Sequence, residues 1–367
     1  MNNPFLVSSP KEAIFTGNEP LQKQQSQESS NDSMQQTVTL PVPLVDEAAI
    51  IKTYSEVDQF SCQKYFEYLE LVKQNPKIGY KKAAKVLQIS NGSTRWWHTK
   101  GAKRAVPNPL KAVQKLAEIG LLPFTENHPE VEDIFRTLGM IFGDGSIDCN
   151  LNTMSFISSN MDNVEHWKED LIRIFPFAKE KMNMIEGGEY GHSYCMRTFD
   201  RSIIRFFVAL GAPVGDKVAT VYRLPLHLFS LSESNRTAFL DGLFSSEIAV
   251  PSYRNDQRWV YKKRFTNFAL GLSKIDELEN EHRELLESIR QLSRSVGVTY
   301  TPLIRKDIQK PSFRKDDHVS YCYRIFLQTH FNKVLFFNEK FPFKYSVEKK
   351  KRFDEEVVNA IMDRATV

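Results

Sequence analysis

The stretch Leu138–Asp148, LGMIFGDGSID, decides how this chain is read. An apolar run with helical spacing, VEDIFRTLGMIF, ends at Gly143, and a lone carboxylate, Asp144, follows between two glycines. Helix carbonyls direct the negative end of the macrodipole at a C-terminus, so an acid there is disfavoured. A second stretch, RTAFLDGLFSSE at 236–247, carries the same pattern. Gly139 and Gly143 are four apart, as are Gly242 and Ser246, and an acid follows each pair: Asp144 and Glu247. Residues four apart share a helix face. Small residues on facing helices let two backbones approach closely. Such packing predicts that both carboxylates meet at one end of a helix pair, beside free helix-end carbonyls.

Two acids among carbonyl dipoles repel one another unless a cation sits between them. Oxygen donors of this kind suit Mg²⁺ (or Mn²⁺) completed by water and phosphate. Such ions serve phosphodiester hydrolysis. Either motif alone reads as a plain G-D-G-type turn; an acid at the matching place in both favours the metal pair.

The elements around the two motifs follow the same order. After the first come a strand (NTMSFISS), an amphipathic helix (DNVEHWKEDLIRIF), two strand-like pieces (AKEKMNMI, HSYCMRTF) and a helix closed by Gly211. After the second come FTNFALGLS, the long helix DELENEHRELLESIRQLSRSVG, the strands TYTPLIRK and SYCYRIFL, and THFNKVLFFNE. YCMR (194–197) matches YCYR (321–324) in place. Fixed-order self-similarity signals a duplicated unit, and two such copies suit a pseudo-palindromic partner such as a DNA site.

LGMIFGDG and LDGLFSSE resemble the paired signature helices of the LAGLIDADG homing endonucleases. Gly139, Ile141, Asp144 and Gly145 fall on signature positions in the first copy, and Gly242 and Glu247 in the second. The resemblance covers about residues 130–355. It implies an α+β fold: a pseudo-symmetric, duplicated αββαββα arrangement with concave antiparallel sheets, its repeats at 130–230 and 231–360. It implies one acid for each DNA strand, the main-chain oxygens of Gly143 and Ser246 as further metal ligands, and basic side chains near the scissile phosphates. Lys217 in GAPVGDK and Lys349 in YSVEKK occupy roughly matching turns, with Lys350 competing for the second place. One departure stands out: Ile248 holds the place of the signature's final glycine, and a β-branched residue is poor at a left-handed helix terminus.

Charge is unevenly distributed along the 367 residues. Residues 1–61 carry three basic and eight acidic side chains, 62–124 twelve and three, and 125–367 carry 34 of each. The middle segment is the candidate for binding a polyanion. Residues 1–45, rich in Gln, Ser, Asn and Pro, read as a disordered tail, and 46–61 as a linker. Within 62–124, a small all-α domain, AAKVLQISNGSTRWW has the pattern of a helix-turn-helix. Ser93 is its expected N-cap, with Thr94, Arg95, Trp97, His98 and Lys100 presented to a groove. One of Trp96 and Trp97 is expected to plug the core. Lys103 and Arg104 add phosphate-gripping charge. In the strands, alternation places Arg197 and Arg324 opposite Met196 and Tyr323, as DNA-contacting residues.

Four scattered cysteines support neither a disulfide framework nor a zinc site. No apolar run approaches a membrane span, and MNNPFLVSSPKEA lacks a secretory pattern. The sequence therefore predicts a cytoplasmic, nucleoid-associated monomer resembling archaeal members of the family. Its expected activity is site-specific, metal-dependent cleavage of double-stranded DNA. The alternative is a DNA-binding transcriptional regulator that keeps the fold without catalysis.

Overall fold

The computed structural model describes residues 42–99, 105–187, 192–255 and 263–365. The chain enters its body earlier than composition predicts. Val45 bridges Phe124 and is fully buried, so the expected tail does not extend to residue 45. Residues 46–61 are not a linker: α1 (Glu47–Lys52) is capped by Asp46 and buries Ile50, and α2 (Glu56–Gln74) is capped by Ser55. Both Asp and Ser accept a bond from a first-turn N–H, which the polar composition of this segment masks as loop. Residues 1–41 lie outside the described residues.

Helices α3 (Tyr80–Leu87), α4 (Asn91–His98) and α5 (Asn108–Glu118) complete the N-terminal helical region. Gln88 adopts the left-handed conformation that turns α3 into the following segment. The N-cap of α4 is Ser90 rather than Ser93: its hydroxyl accepts from the Ser93 N–H at 3.1 Å. A small core of Cys62, Tyr65, Tyr68, Ala83, Leu87, Trp97 and Leu110 holds α2 to α5 together. Val45, Ile50, Tyr54, Leu116 and Phe124 instead join the main core.

The remainder mixes helices with antiparallel sheets. Helix α6 (Val131–Phe142) leads into β1 (Gly145–Ile147) and β2 (Met154–Ser158). Helix α7 (Met161–Ile174), β3 (Met182–Glu186), β4 (Tyr194–Thr198) and α8 (Arg201–Ala209) follow. Strand order in this sheet is β1-β2-β4-β3. Helix α9 (Glu233–Glu247) precedes a separate hairpin, β5 (Ser252–Asn255) with β6 (Lys263–Thr266). Next come β7 (Ala269–Ile275), α10 (Glu279–Arg294), β8 (Tyr300–Lys306), β9 (Ser312–Phe313) and β10 (Val319–Leu327), paired in the order β7-β10-β8 with β9 on the start of β10. Helices α11 (Phe331–Lys340) and α12 (Val347–Ala365) close the chain. Helix α7 packs on β2 and β4, and α10 on β7. Among the described residues no helix is long and apolar enough to cross a membrane.

The expected conflict at Ile248 does not arise. Ile248 is extended, with φ −87° and ψ 135°, and buried. Gly143 ends α6 with φ −92°. Neither helix finishes in a left-handed residue, so a β-branched side chain is accommodated.

Candidate metal centre and nucleic-acid interface

Helices α6 and α9 meet along their glycine faces. A Cβ on Gly139 would stand 1.8 Å from the Phe239 carbonyl oxygen, and one on Gly242 1.9 Å from that of Arg136. The contact is reciprocal, since each glycine meets the carbonyl three residues before the other. One turn further, a Cβ on Gly143 would lie 2.4 Å from Ser246 Cβ and 3.2 Å from Glu247 Cγ. Glu247 therefore rests against the residue that precedes Asp144.

Two lysines close on this end of the helix pair. Lys217 Nζ donates to the carbonyls of Ile141 at 3.0 Å, Gly145 at 2.7 Å and also Gly143. Lys349 Nζ donates to those of Ser245 at 2.7 Å and Ser246 at 2.8 Å. Each ammonium satisfies carbonyls that the helix ends leave open. Lys350 is turned away, onto Asn338 and Asp354. Lys349 sits in the first turn of α12 rather than in a turn between elements, whereas Lys217 lies in the irregular segment after α8.

Electrostatics couple the four groups. Burial, reinforced by the Asp144 charge, pushes the Glu247 carboxyl well above its usual value, with Lys217 and Lys349 pulling it back. Asp144 opens to solvent yet is crowded enough that loss of surrounding water raises its pKa too, against both lysines. Burial lowers Lys217 and Lys349, with the two acids opposing. Asp144, Glu247 and the nearby main-chain oxygens are hard oxygen donors, the kind of ligand that could hold a divalent ion. Among the described residues no three carboxylate, imidazole or thiol side chains converge, so any further ligands come from the backbone, water or substrate.

Beside Asp144 lies a polar recess of about 570 Å³. Ser158, Asn163, Ser246, Lys349 and Arg352 are among its lining residues. Ser158, Asn163 and Arg352 escaped sequence reasoning because they belong to no motif.

The other residues singled out by sequence are scattered. Thr94 is fully buried and donates to the Ser90 and Asn91 carbonyls, and Trp97 is wedged edge-on to Tyr65 at 5.3 Å. Neither reaches a groove. Both fall on the inner face of α4: they are three residues apart, so they share one side of the helix, and that side is turned to the small core. Arg95 and Trp96 are exposed; His98 is exposed while its Nδ1 pairs with Tyr68 Oη at 3.0 Å. Lys100, Lys103 and Arg104 lie outside the described residues. Arg197, half-buried, borders a second recess with Ser146, Ser155 and Asp216. Arg324 is exposed, 3.7 Å from Asp307.

No protein-family model matches the chain. Over 233 residues it is 23% identical to the DNA-directed RNA polymerase subunit Rpo1N of Methanocaldococcus jannaschii, covering 60% of this chain and 17% of that protein. Over 204 residues it is 27% identical to the tRNA-splicing ligase RtcB of Methanopyrus kandleri, covering 52% and 20%. Over 183 residues it is 26% identical to the archaeal Lon protease of Pyrococcus abyssi, covering 48% and 17%. The chain thus spans a fifth or less of the length of these relatives. Among solved structures, a mesophilic variant of the homing endonuclease I-DmoI aligns over 54% of this chain and 84% of its own, at 14% identity and TM-score 0.31. The N-terminal LAGLIDADG domain of WhiA aligns over 63% and 89%, at 15% identity and TM-score 0.32.

Proposed function

We propose that this protein is a site-specific, divalent-metal-dependent double-strand DNA endonuclease of the LAGLIDADG type, built from two related halves. The observation that carries the reading is the close glycine contact between α6 and α9, with Asp144 and Glu247 at one end and an ammonium group beside each helix terminus. Asp144 and Glu247 would hold Mg²⁺ or Mn²⁺, aided by the carbonyls of Gly143 and Ser246, each of which keeps a second lone pair beyond the one its lysine uses. Such an ion supplies an activated water and charge stabilisation for phosphodiester hydrolysis. Lys217 and Lys349 hold the helix ends and place positive charge where phosphate would approach.

The sequence relatives support this reading through their disagreement. A polymerase subunit, an RNA ligase and a protease share no chemistry in their names, yet each matches this chain over a segment of about 200 residues. Matches spread over proteins of such different names are what a mobile element would leave. Arg197 and Arg324 on the sheets, and Arg95 and Lys81, Lys82 and Lys85 around the α3–α4 pair, are the proposed DNA contacts. In this reading α3 and α4 form a helix-turn-helix, and the protein acts as a cytoplasmic, nucleoid-associated monomer.

Plasmid nicking and linearisation over a library of sites in Mg²⁺ and Mn²⁺ tests the proposal. Cleavage is expected to vanish in Asp144→Asn with Glu247→Gln; cleavage that survives removes this site from the mechanism. One observation favours the regulator instead: both lysines bond the helix-end carbonyls that the nuclease reading assigns to an ion. Sequence-specific binding with no cleavage in either metal would establish that second reading.

A further inference from the structure

The segment that carries Lys217 has no regular structure of its own to hold it. It is fixed from outside. Gly215 N–H donates to Ile147 O of β1 at 2.8 Å, while Ile275 N–H of β7 donates to Val218 O at 3.1 Å. Arg314, in the turn between β9 and β10, pairs with Asp216. Between these anchors stands Lys274 of β7. Its Nζ donates to the main-chain oxygen of Lys217 at 2.6 Å and to that of Thr220. It lies 4.4 Å from the centroid of the Tyr222 ring, which in turn packs edge-on to Phe142 at the end of α6.

Lys274 is 1% exposed, and among the described residues it forms no direct ion pair; the charges of Asp216 and Glu281 reach it only from beyond contact. Burying a cation without a counter-ion is costly, and an aliphatic side chain would fill the same space. What the ammonium adds is the ability to grip two carbonyls of one segment with charge-assisted bonds. We propose that Lys274 is a positioning residue for Lys217: a side chain from the second half of the molecule that locks the segment delivering the first half's lysine to the end of α6. The proposal deepens the nuclease reading and rests on it only for its effect on cleavage.

The device is one-sided. Gly145 pairs with Phe156 as Ile248 pairs with Leu270, and four residues on from each partner stand Asn160 and Lys274. Asn160 caps α7, its side chain accepting from the Asp162 N–H at 2.8 Å, and braces no lysine segment. None is needed there, because Lys349 rides on the first turn of its own helix.

The test begins without DNA. The full chain, metal-free, is acetylated with trace acetic anhydride, and Lys217 and Lys349 are followed by mass spectrometry. In wild type Lys217 labels slowly. In Lys274→Met its labelling rises by about tenfold or more, because losing two charge-assisted bonds frees the segment to open. Lys349 stays unchanged, and Lys274→Arg restores much of the protection. Fast labelling of Lys217 in wild type, unchanged labelling in Lys274→Met, or an equal rise at Lys217 and Lys349 would each overturn the proposal. Should Lys274→Met fail to fold, Lys274→Gln, which keeps a donor but loses the charge, is judged by the same criteria. A second arm uses end-labelled duplex. Cleavage of one strand slows in Lys274→Met with DNA affinity unchanged, so nicked product accumulates; equal slowing of both strands contradicts a one-sided brace. If wild type cuts no DNA, the nuclease reading fails, and the labelling arm still decides the role of Lys274.

Discussion

The α6 half and the α9 half share a contact and differ in how the chain leaves it. Both helices lose a side chain at the crossing, and each glycine meets the other helix's backbone at nearly the same separation. Beyond that point they diverge. The acid of the first half lies past the cap of α6 and opens to solvent; that of the second is the last residue of α9 and is half-buried. After Gly145 the chain continues as β1 and completes a four-stranded sheet. After Ile248 it makes one bridge to Leu270, then leaves for the β5–β6 hairpin, where Tyr253 is tied to Glu356 and Asp363 of α12. Backbone-to-backbone packing allows almost no variation, because nothing fits between the helices. The strands and turns downstream carry no such restriction.

The largest effect should test the shared part. Gly139→Val and Gly242→Val each place atoms inside the opposite backbone, so each should cost more than about 4 kcal/mol in urea unfolding. The two losses should be similar, and a wide gap between them would break the reciprocity. The next concerns a difference. Asp241 is buried where α6 has Leu138, one residue before each glycine. It accepts from Arg136 Nε at 2.9 Å and from the Phe343 N–H at 2.7 Å, joining α6, α9 and the turn before α12. Asp241→Leu makes the two positions alike and strands those donors, so a loss of about 3 kcal/mol is expected by chemical denaturation.

A smaller effect belongs to the first half alone. Asp200 caps α8 and pairs with Lys115 of α5 and with Lys181. Burial opposes its charge, yet the two lysines outweigh that and hold its pKa below the ordinary 3.8. A depressed folded-state pKa gives stability that is present above the unfolded value and is lost as pH falls through the folded one. Asp200→Asn should therefore cost about 2 kcal/mol near neutral pH, and the gap from wild type should close in acid, below about pH 4. A gap independent of pH would reduce Asp200 to its capping role. The smallest effect lies outside both halves. Trp96→Ala, at an exposed position, should change stability by no more than about 0.5 kcal/mol, although its neighbour Trp97 is a core residue.

What could be read from sequence follows the same division. The small-xxx-small spacing located the helix crossing because sterics leave few ways to satisfy it. Most helices and the central strands were visible through periodicity, including the strand holding Cys195 and the one holding Cys322, whereas α1, β1, β5 and β9 were not. Helix starts were harder: Ser90 and Ser93 are equally good caps by composition, and the short polar helix that begins there gives no periodic apolar stripe to show that Thr94 and Trp97 face inward. Lys274 had a signal that went unused. Leu270, Leu272 and Lys274 alternate along β7, so a strand period of two already places the lysine inward. The partners it meets there are 54 and 57 residues away, at Thr220 and Lys217, and no local pattern encodes such a contact.

The bridge between Val45 and Phe124 has a consequence of its own. The Phe124 ring lies edge-on to Phe206 at 5.3 Å and near Phe135 at 6.3 Å, so the entry strand and the exit of α5 are built into the same interior as α6 and α8. Trimming the protein back to residue 130 would strip a wall from that interior and wet the rings behind it. Helices α1 and α5 should consequently melt in one calorimetric transition with the sheets.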